Sequence, residues 1–204
     1  MRVIIVASSP YKNFASYNYQ RGDFLIGIED GAYEIKKRDL PLELAIGDFD
    51  TTKHFDEIKT YAKQLEIYPQ EKAEIDLELA LKYLVKHNIN SEILIYDAIM
   101  GRMDHELITI KLLIKYAMLQ ISLIGMNETI TYVNHSVVIP SGKTRFSLIP
   151  LNDVTLEIKD ALYPLVKTKL TILENFTSSN QTLENIDTKI NIYDGGVILV
   201  IGNK

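Results

Sequence analysis

"LELAIGDFDTT", Leu42–Thr52, runs from a strand-like apolar segment straight into two aspartates one residue apart. An apolar run of this length that stops at glycine reads as a buried β-strand. Acids just past its carboxyl end stand where an open parallel sheet receives ligands. If the chain stays extended beyond Gly47, Asp48 and Asp50 share one face and Phe49 takes the other. Two carboxylates about 6 Å apart repel by about 3 kcal/mol at an effective dielectric of about 20, and by under about 1 kcal/mol in water. Ala45–Thr52 contains no lysine or arginine to offset them. Either the pair lies in a wet turn, or it lies in a cleft where a cation compensates it.

Working outward, the same rhythm repeats on both sides. "VIIVA" from Val3, "FLIGI" from Phe24, "LEIY" from Leu65, "EILIY" from Glu92 and "ISLIG" from Ile121 read as further strands. "DLELALKYLVKH" places Leu77, Ala80, Leu81, Leu84 and Val85 on one helical stripe. "DHELITIKLLIKYAML" is apolar nearly all round, which predicts a well-buried helix. Strands alternating with helices predict an α/β fold: a mostly parallel, Rossmann-like sheet with flanking helices.

After Gly125 the rhythm changes. "ETITYVN", "SVVIP", "RFSLIPL", "VTLEIK", "LTIL", "KINIY" and "GVILVIG" are short, rich in β-branched residues and separated by turn signals. They predict an all-β sandwich with no helix. The expected division is an α/β domain over residues 1–126 and a β-domain over 127–204.

Composition narrows the function. With 22 basic against 27 acidic residues and no long basic run, nucleic acid is excluded as the expected main partner. The chain has no cysteine, so disulfides and thiolate metal sites are ruled out. No stretch reaches the ~20 apolar residues of a membrane span. The expectation is a cytoplasmic protein that does not enter a membrane.

The acids gather at the predicted strand ends. Glu29 and Asp30 follow the second strand, Asp48 and Asp50 the third, and Glu71, Lys72 and Glu74 the fourth, with Asp76 opening a helix. Asp97 follows the fifth, and "GRMDH" leads into the next helix. Each has an ordinary explanation. Asp76 complements a helix macrodipole, Asp104 pairs with Arg102 on the surface, and His105 sits in a core. The histidines lack zinc spacing, and neither phosphate-loop nor dinucleotide glycine pattern is present. Hard oxygen ligands without nitrogen or sulfur partners point to Mg²⁺.

In order along the chain, "GDFDT", "KAEIDLELAL", "MGRMDH", "FSLIPL", "YPL" and "SNQ" resemble the signatures of the thiamin pyrophosphokinase family. Those signatures run G-D-F-D-S/T, K-D-x-T-D-x-E-x-A-L, G-G-R-x-D-H, F-S-L-x-P-L, Y-P-L and S-N-E. The resemblance implies a nucleotide-binding α/β domain followed by a β-sandwich for thiamin binding and dimerisation. It implies transfer of pyrophosphate from ATP to the hydroxyethyl group of thiamin, with Mg²⁺. It assigns Asp48, Asp50 and Asp76 to metal and catalysis, and Lys72 and Arg102 to the phosphates. Glu29 and Asp30 compete for the nucleotide-facing acid, with Glu29 favoured and Asp30 starting the turn. Asp104 and His105, with Ser179 and Asn180, are assigned to thiamin, in a site at a homodimer interface.

Ser8-Ser9 stand in place of the family's Gly-Gly. Ala73, Ile75, Met100 and Gln181 replace its aspartate, threonine, glycine and glutamate. Two rivals share the same acids: a Mg²⁺-dependent phosphohydrolase, and a non-catalytic nucleotide or thiamin binder.

Overall fold

The computed structural model describes residues 1–202. The chain forms two compact units, Met1–Gly125 and Met126 onward.

The first unit holds β1 (Val3–Val6), β2 (Phe24–Ile28), β3 (Leu44–Gly47), β4 (Gln64–Ile67), β5 (Glu92–Tyr96) and β6 (Gln120–Ile124). They pair in parallel in the order β6-β5-β1-β2-β3-β4. The chain leaves β1 toward β2 and leaves β5 toward β6. The sheet therefore has its switch point between β1 and β5, where loops diverge and leave a crevice. Four helices connect the strands: α1 (Asp30–Lys37), α2 (Phe55–Tyr61), α3 (Asp76–Lys86) and α4 (Met103–Lys115).

Burial on both faces explains the near-continuous apolar strands. Ile4, Val6, Leu25 and Ala45 share a core with Ala32 and Ile35 of α1 and Ile58 of α2. The alternate residues Ile5, Ile26, Leu44 and Ile46 are equally inaccessible, and α3 packs against β2 and β3. Gly27 and Gly31 let α1 seat itself. A Cβ on Gly27 would lie 2.2 Å from Ala32 Cα, and one on Gly31 would lie 2.0 Å from the Val6 carbonyl oxygen.

Two expectations for this unit need correction. α4 is not buried all round: Met103 is 67% and Leu107 57% exposed, and its buried residues are Thr109, Leu112 and Leu113. Asp30 does not begin a turn; it is the first residue of α1. Asp-Gly reads locally as a turn and glycine costs about 1 kcal/mol in a helix. The close packing of Gly31 on β1 overrides that preference.

The second unit consists of β7 (Glu128–Val133), β8 (Val137–Ile139), β9 (Arg145–Ile149), β10 (Val154–Lys159), β11 (Leu165–Leu170), β12 (Asn180–Gln181), β13 (Thr188–Asp194) and β14 (Val197–Gly202). β12-β9-β14-β7 and β11-β10-β13-β8 each pair antiparallel. Phe146, Leu148, Val197 and Leu199 of the first set share one core with Leu156, Ile158, Leu170 and Ile190 of the second. The strand expected at "LTIL" lies upstream, at Leu165–Leu170. Ile172 and Leu173 are 62% and 86% exposed, in a turn closed by the Glu174 carboxylate on the Thr171 N–H (2.5 Å). Among the described residues, no helix is long and apolar enough to cross a membrane.

Candidate active site

Beyond the carboxyl ends of the first unit's strands lies a cavity of about 660 Å³, within the ~300–1,000 Å³ usual for small-molecule sites. The loops that line it are held in demanding conformations. Glu29, Phe49, Asp97 and Met100 all have positive φ, between 51° and 67°. Non-glycine residues held there cost about 1–3 kcal/mol each and concentrate at functional sites. Met100 occupies such a backbone (φ 67°), which accounts for a glycine at that position in the family pattern. Ser9 ties two of the loops together. Its N–H donates to Asp97 O (2.9 Å) and its hydroxyl to Ile99 O (2.7 Å).

The turn after β3 answers the opening question in part. With Phe49 left-handed at φ 54°, the segment is not extended, so simple alternation does not place the two aspartates. Phe49 is nonetheless buried in the core, while Asp48 and Asp50 both line the cavity. The Asp50 N–H donates to Asp48 Oδ1 (3.3 Å), and Gln70 Nε2 donates to the Asp50 carboxylate.

The compensating cation is a lysine. Lys72 Nζ lies 2.9 Å from Asp48 Oδ2 and 3.1 Å from Asp76 Oδ1. That hydrogen bond holds the Asp48 carboxyl below its ordinary range. Burial pushes the Lys72 ammonium down, but Asp48 and Asp76 together more than reverse it, so its pKa is raised. Asp50 moves the opposite way, raised by desolvation and by its neighbour Asp48.

Glu29 completes the acidic wall. Its Oε1 accepts the Phe49 N–H (2.9 Å), while its buried Oε2 has no hydrogen-bond partner. Burial raises its pKa, with Asp76 and Asp48 adding to the effect. Gly47 makes room for this side chain, since a Cβ there would meet Glu29 Oε1 at 1.9 Å. Asp76 Oδ1 is also buried, and its neighbour is the Lys72 ammonium, an ion pair at 3.1 Å. Among the described residues, no three acidic or histidine side chains converge as a ready metal site.

The remaining candidates divide. Arg102, His105 and Glu106 line the cavity, and Glu106 accepts the Gly101 N–H (2.6 Å). Asp104 is outside the lining; exposed Arg102 pairs with it at 2.6 Å and lowers its pKa to about 2. Asp30 is also outside, its carboxylate taken by the Thr52 hydroxyl. Ser179 and Asn180 belong to the second unit. Ser179 is exposed, with φ 57°. Asn180 is buried, its amide clamped to both backbone groups of Tyr163 (3.0 and 2.7 Å).

Gln70 and Asp97 are among the cavity residues that were not selected as site residues from the sequence. Gln70 carried no signal in sequence. Asp97 did carry one, its place after β5. It is 2% exposed, and its Oδ1 accepts the N–H groups of Asn13 (2.7 Å) and Phe14 (3.0 Å).

Relatives share this architecture. The chain resembles a thiamin pyrophosphokinase family protein from Enterococcus faecalis, with 27% identity, TM-score 0.83, and coverage of 100% of this chain and 99% of that one. A thiamine pyrophosphokinase from Bacillus subtilis has 23% identity and TM-score 0.83 over 100% of both chains. One from Candida albicans has 15% identity and TM-score 0.81, over 100% of this chain and 89% of the other. The latter two bear on the fold alone. No curated protein sequence matches. The family model for the thiamin pyrophosphokinase catalytic domain matches residues 16–124, which include the β3 aspartates, Lys72, Asp76 and Arg102. With more than half its length matched in this way, the chain belongs to the thiamin pyrophosphokinase family.

Proposed function

We propose that this chain transfers the pyrophosphoryl group of ATP to the hydroxyethyl oxygen of thiamin, giving thiamin diphosphate and AMP. The observation that carries the reading is the cavity lined by Glu29, Asp48, Asp50 and Asp76, inside the segment matched to the family's catalytic domain. In this reaction the alcohol oxygen attacks the β-phosphorus, the bond from the bridging oxygen to that phosphorus breaks, and AMP leaves with the oxygen. Such transfers need positioning and charge stabilisation more than covalent help from the protein.

The donor set suits Mg²⁺: carboxylate oxygens without sulfur ligands, with the buried Glu29 Oε2 left without a hydrogen-bond partner. Asp48, Asp50 and Asp76, with Glu29, are the residues that would hold it. When bound, the ion neutralises triphosphate charge and polarises the transferred group. Lys72 and Arg102 add positive charge where negative charge develops on the phosphates. Glu29, which lines the same cavity, is the acid we assign to the nucleotide side. The same reading makes the enzyme a cytoplasmic homodimer, with Ser179 of the β-unit at the thiamin end. Asn180, already committed to Tyr163, shapes the loop that presents it.

The test is AMP release from MgATP with and without thiamin. Release only with thiamin supports the transferase; AMP or phosphate without thiamin supports a hydrolase; binding without turnover supports a sensor. Asp48→Asn, Asp50→Asn and Asp76→Asn should each remove most turnover and raise the Mg²⁺ requirement. Asp50→Asn, whose carboxyl desolvation and Asp48 push up, should leave apo stability level or slightly higher. Asp48→Asn and Asp76→Asn each take a partner from Lys72 and should lower it. Near-normal turnover of all three at limiting Mg²⁺ would sink the metal assignment.

A further inference from the structure

Lys72 is placed as an internal counter-ion. Its side chain is 12% exposed, and its ammonium spans Asp48 on the β3 turn and Asp76 at the start of α3. Asp50, the third assigned ligand, is turned to Gln70. Carboxylates arranged around an ammonium stand about 3 Å from it, whereas Mg²⁺ draws oxygens to about 2.0–2.1 Å. The two cations also repel one another. An ammonium drawn between Asp48 and Asp76 therefore opposes a divalent ion that draws on the same two carboxylates.

We propose that Lys72 competes with the divalent cation for Asp48 and Asp76, and that nucleotide phosphates relieve the competition by taking the displaced ammonium. The inference rests on the transferase reading of this site. It gives Lys72 two opposed effects. Without nucleotide it weakens metal binding, so the acids do not collect stray divalent ions. With nucleotide, the displaced ammonium gains phosphate oxygens as new partners, so metal and triphosphate bind each other's sites cooperatively. Such coupling must be reciprocal. A lysine that merely braced the fold would produce neither effect.

The experiment titrates the full chain with Mn²⁺, following free Mn²⁺ by electron paramagnetic resonance, for the unaltered protein, Lys72→Met and Lys72→Arg. Each is measured alone and with an ATP analogue whose α,β-bridge is methylene. Without the analogue, Lys72→Met should bind Mn²⁺ at least tenfold more tightly than the unaltered protein, and Lys72→Arg should not. With the analogue that advantage should shrink to less than threefold, and the analogue's own affinity should fall at least fivefold. Equal or weaker Mn²⁺ binding by Lys72→Met without nucleotide overturns the proposal. If Lys72→Met fails to fold without metal, Mn²⁺ should restore its circular dichroism at concentrations that leave the unaltered protein's melting unchanged; no recovery counts as overturning it. The readout does not use thiamin. A protein that behaves as predicted here but makes no thiamin diphosphate would lose the functional reading and keep this one.

Discussion

Glu29 and Asp30 are adjacent acids with different surroundings. Glu29 follows β2 at φ 51°, lies over Gly47 and leaves one buried oxygen without a hydrogen bond. Asp30 starts α1 and accepts the Thr52 hydroxyl. Glu29→Ala should therefore lower kcat/KM for MgATP at least tenfold, about 1.4 kcal/mol of transition-state stabilisation. Asp30→Ala should cost clearly less activity. The reverse ranking, with both variants folded, would show that the register taken from the family pattern is off by one residue. Part of this was legible, because the family resemblance already favoured Glu29 over Asp30. The Lys72 pairing was not. It depends on where the β4–α3 loop folds back, and no local pattern fixes that.

At the level of elements, strands were read better than helices. Parallel strands buried on both faces announce themselves as apolar runs, and β1, β2 and β5 begin or end within a residue or so of the runs quoted. α1 and α2 are short and highly charged, and tertiary contact rather than propensity holds them. β11 was displaced because its sequence, "LVKTKL", alternates with lysines while the apolar "LTIL" beside it forms an exposed turn. Ile75, in the capping position just before α3, supplies no side-chain cap. Ile75→Thr should add one and stabilise the protein by about 0.5–2 kcal/mol, read as a shift in the urea midpoint at constant slope; no shift would mean the helix start is already satisfied.

The opening of β1 and β2 is fastened by Asp23, which takes Arg2 in a two-pronged bond (2.7 and 3.1 Å) and the Tyr17 hydroxyl. Burial pushes the Asp23 carboxyl up, but those partners more than reverse it, so its folded pKa lies below the ordinary value. Its contribution is thus fully present above the unfolded carboxylate pKa of about 3.9 and fades as pH falls through the depressed folded value. Asp23→Asn should cost about 3 kcal/mol at pH 7, and the gap from the unaltered protein should close below about pH 4. A gap independent of pH would mean that Asp23 contributes by shape rather than charge.

For the whole molecule, the change of rhythm near Gly125 was visible because strand–helix alternation gives way to short β-branched segments. The chemistry was visible because acids collect at one end of a parallel sheet whatever the loop details. Less visible were the means of holding those loops, such as the left-handed Glu29, Phe49, Asp97 and Met100, since only backbone geometry reveals them. The central claim is that these acids serve transfer of an intact pyrophosphoryl unit to thiamin. It is tested most directly by a phosphorus-31 NMR time course of the protein with MgATP and thiamin. The account predicts AMP and thiamin diphosphate rising in equal amounts, with no inorganic phosphate or pyrophosphate ahead of them. ADP with thiamin monophosphate, or free pyrophosphate formed at the same rate without thiamin, would contradict it.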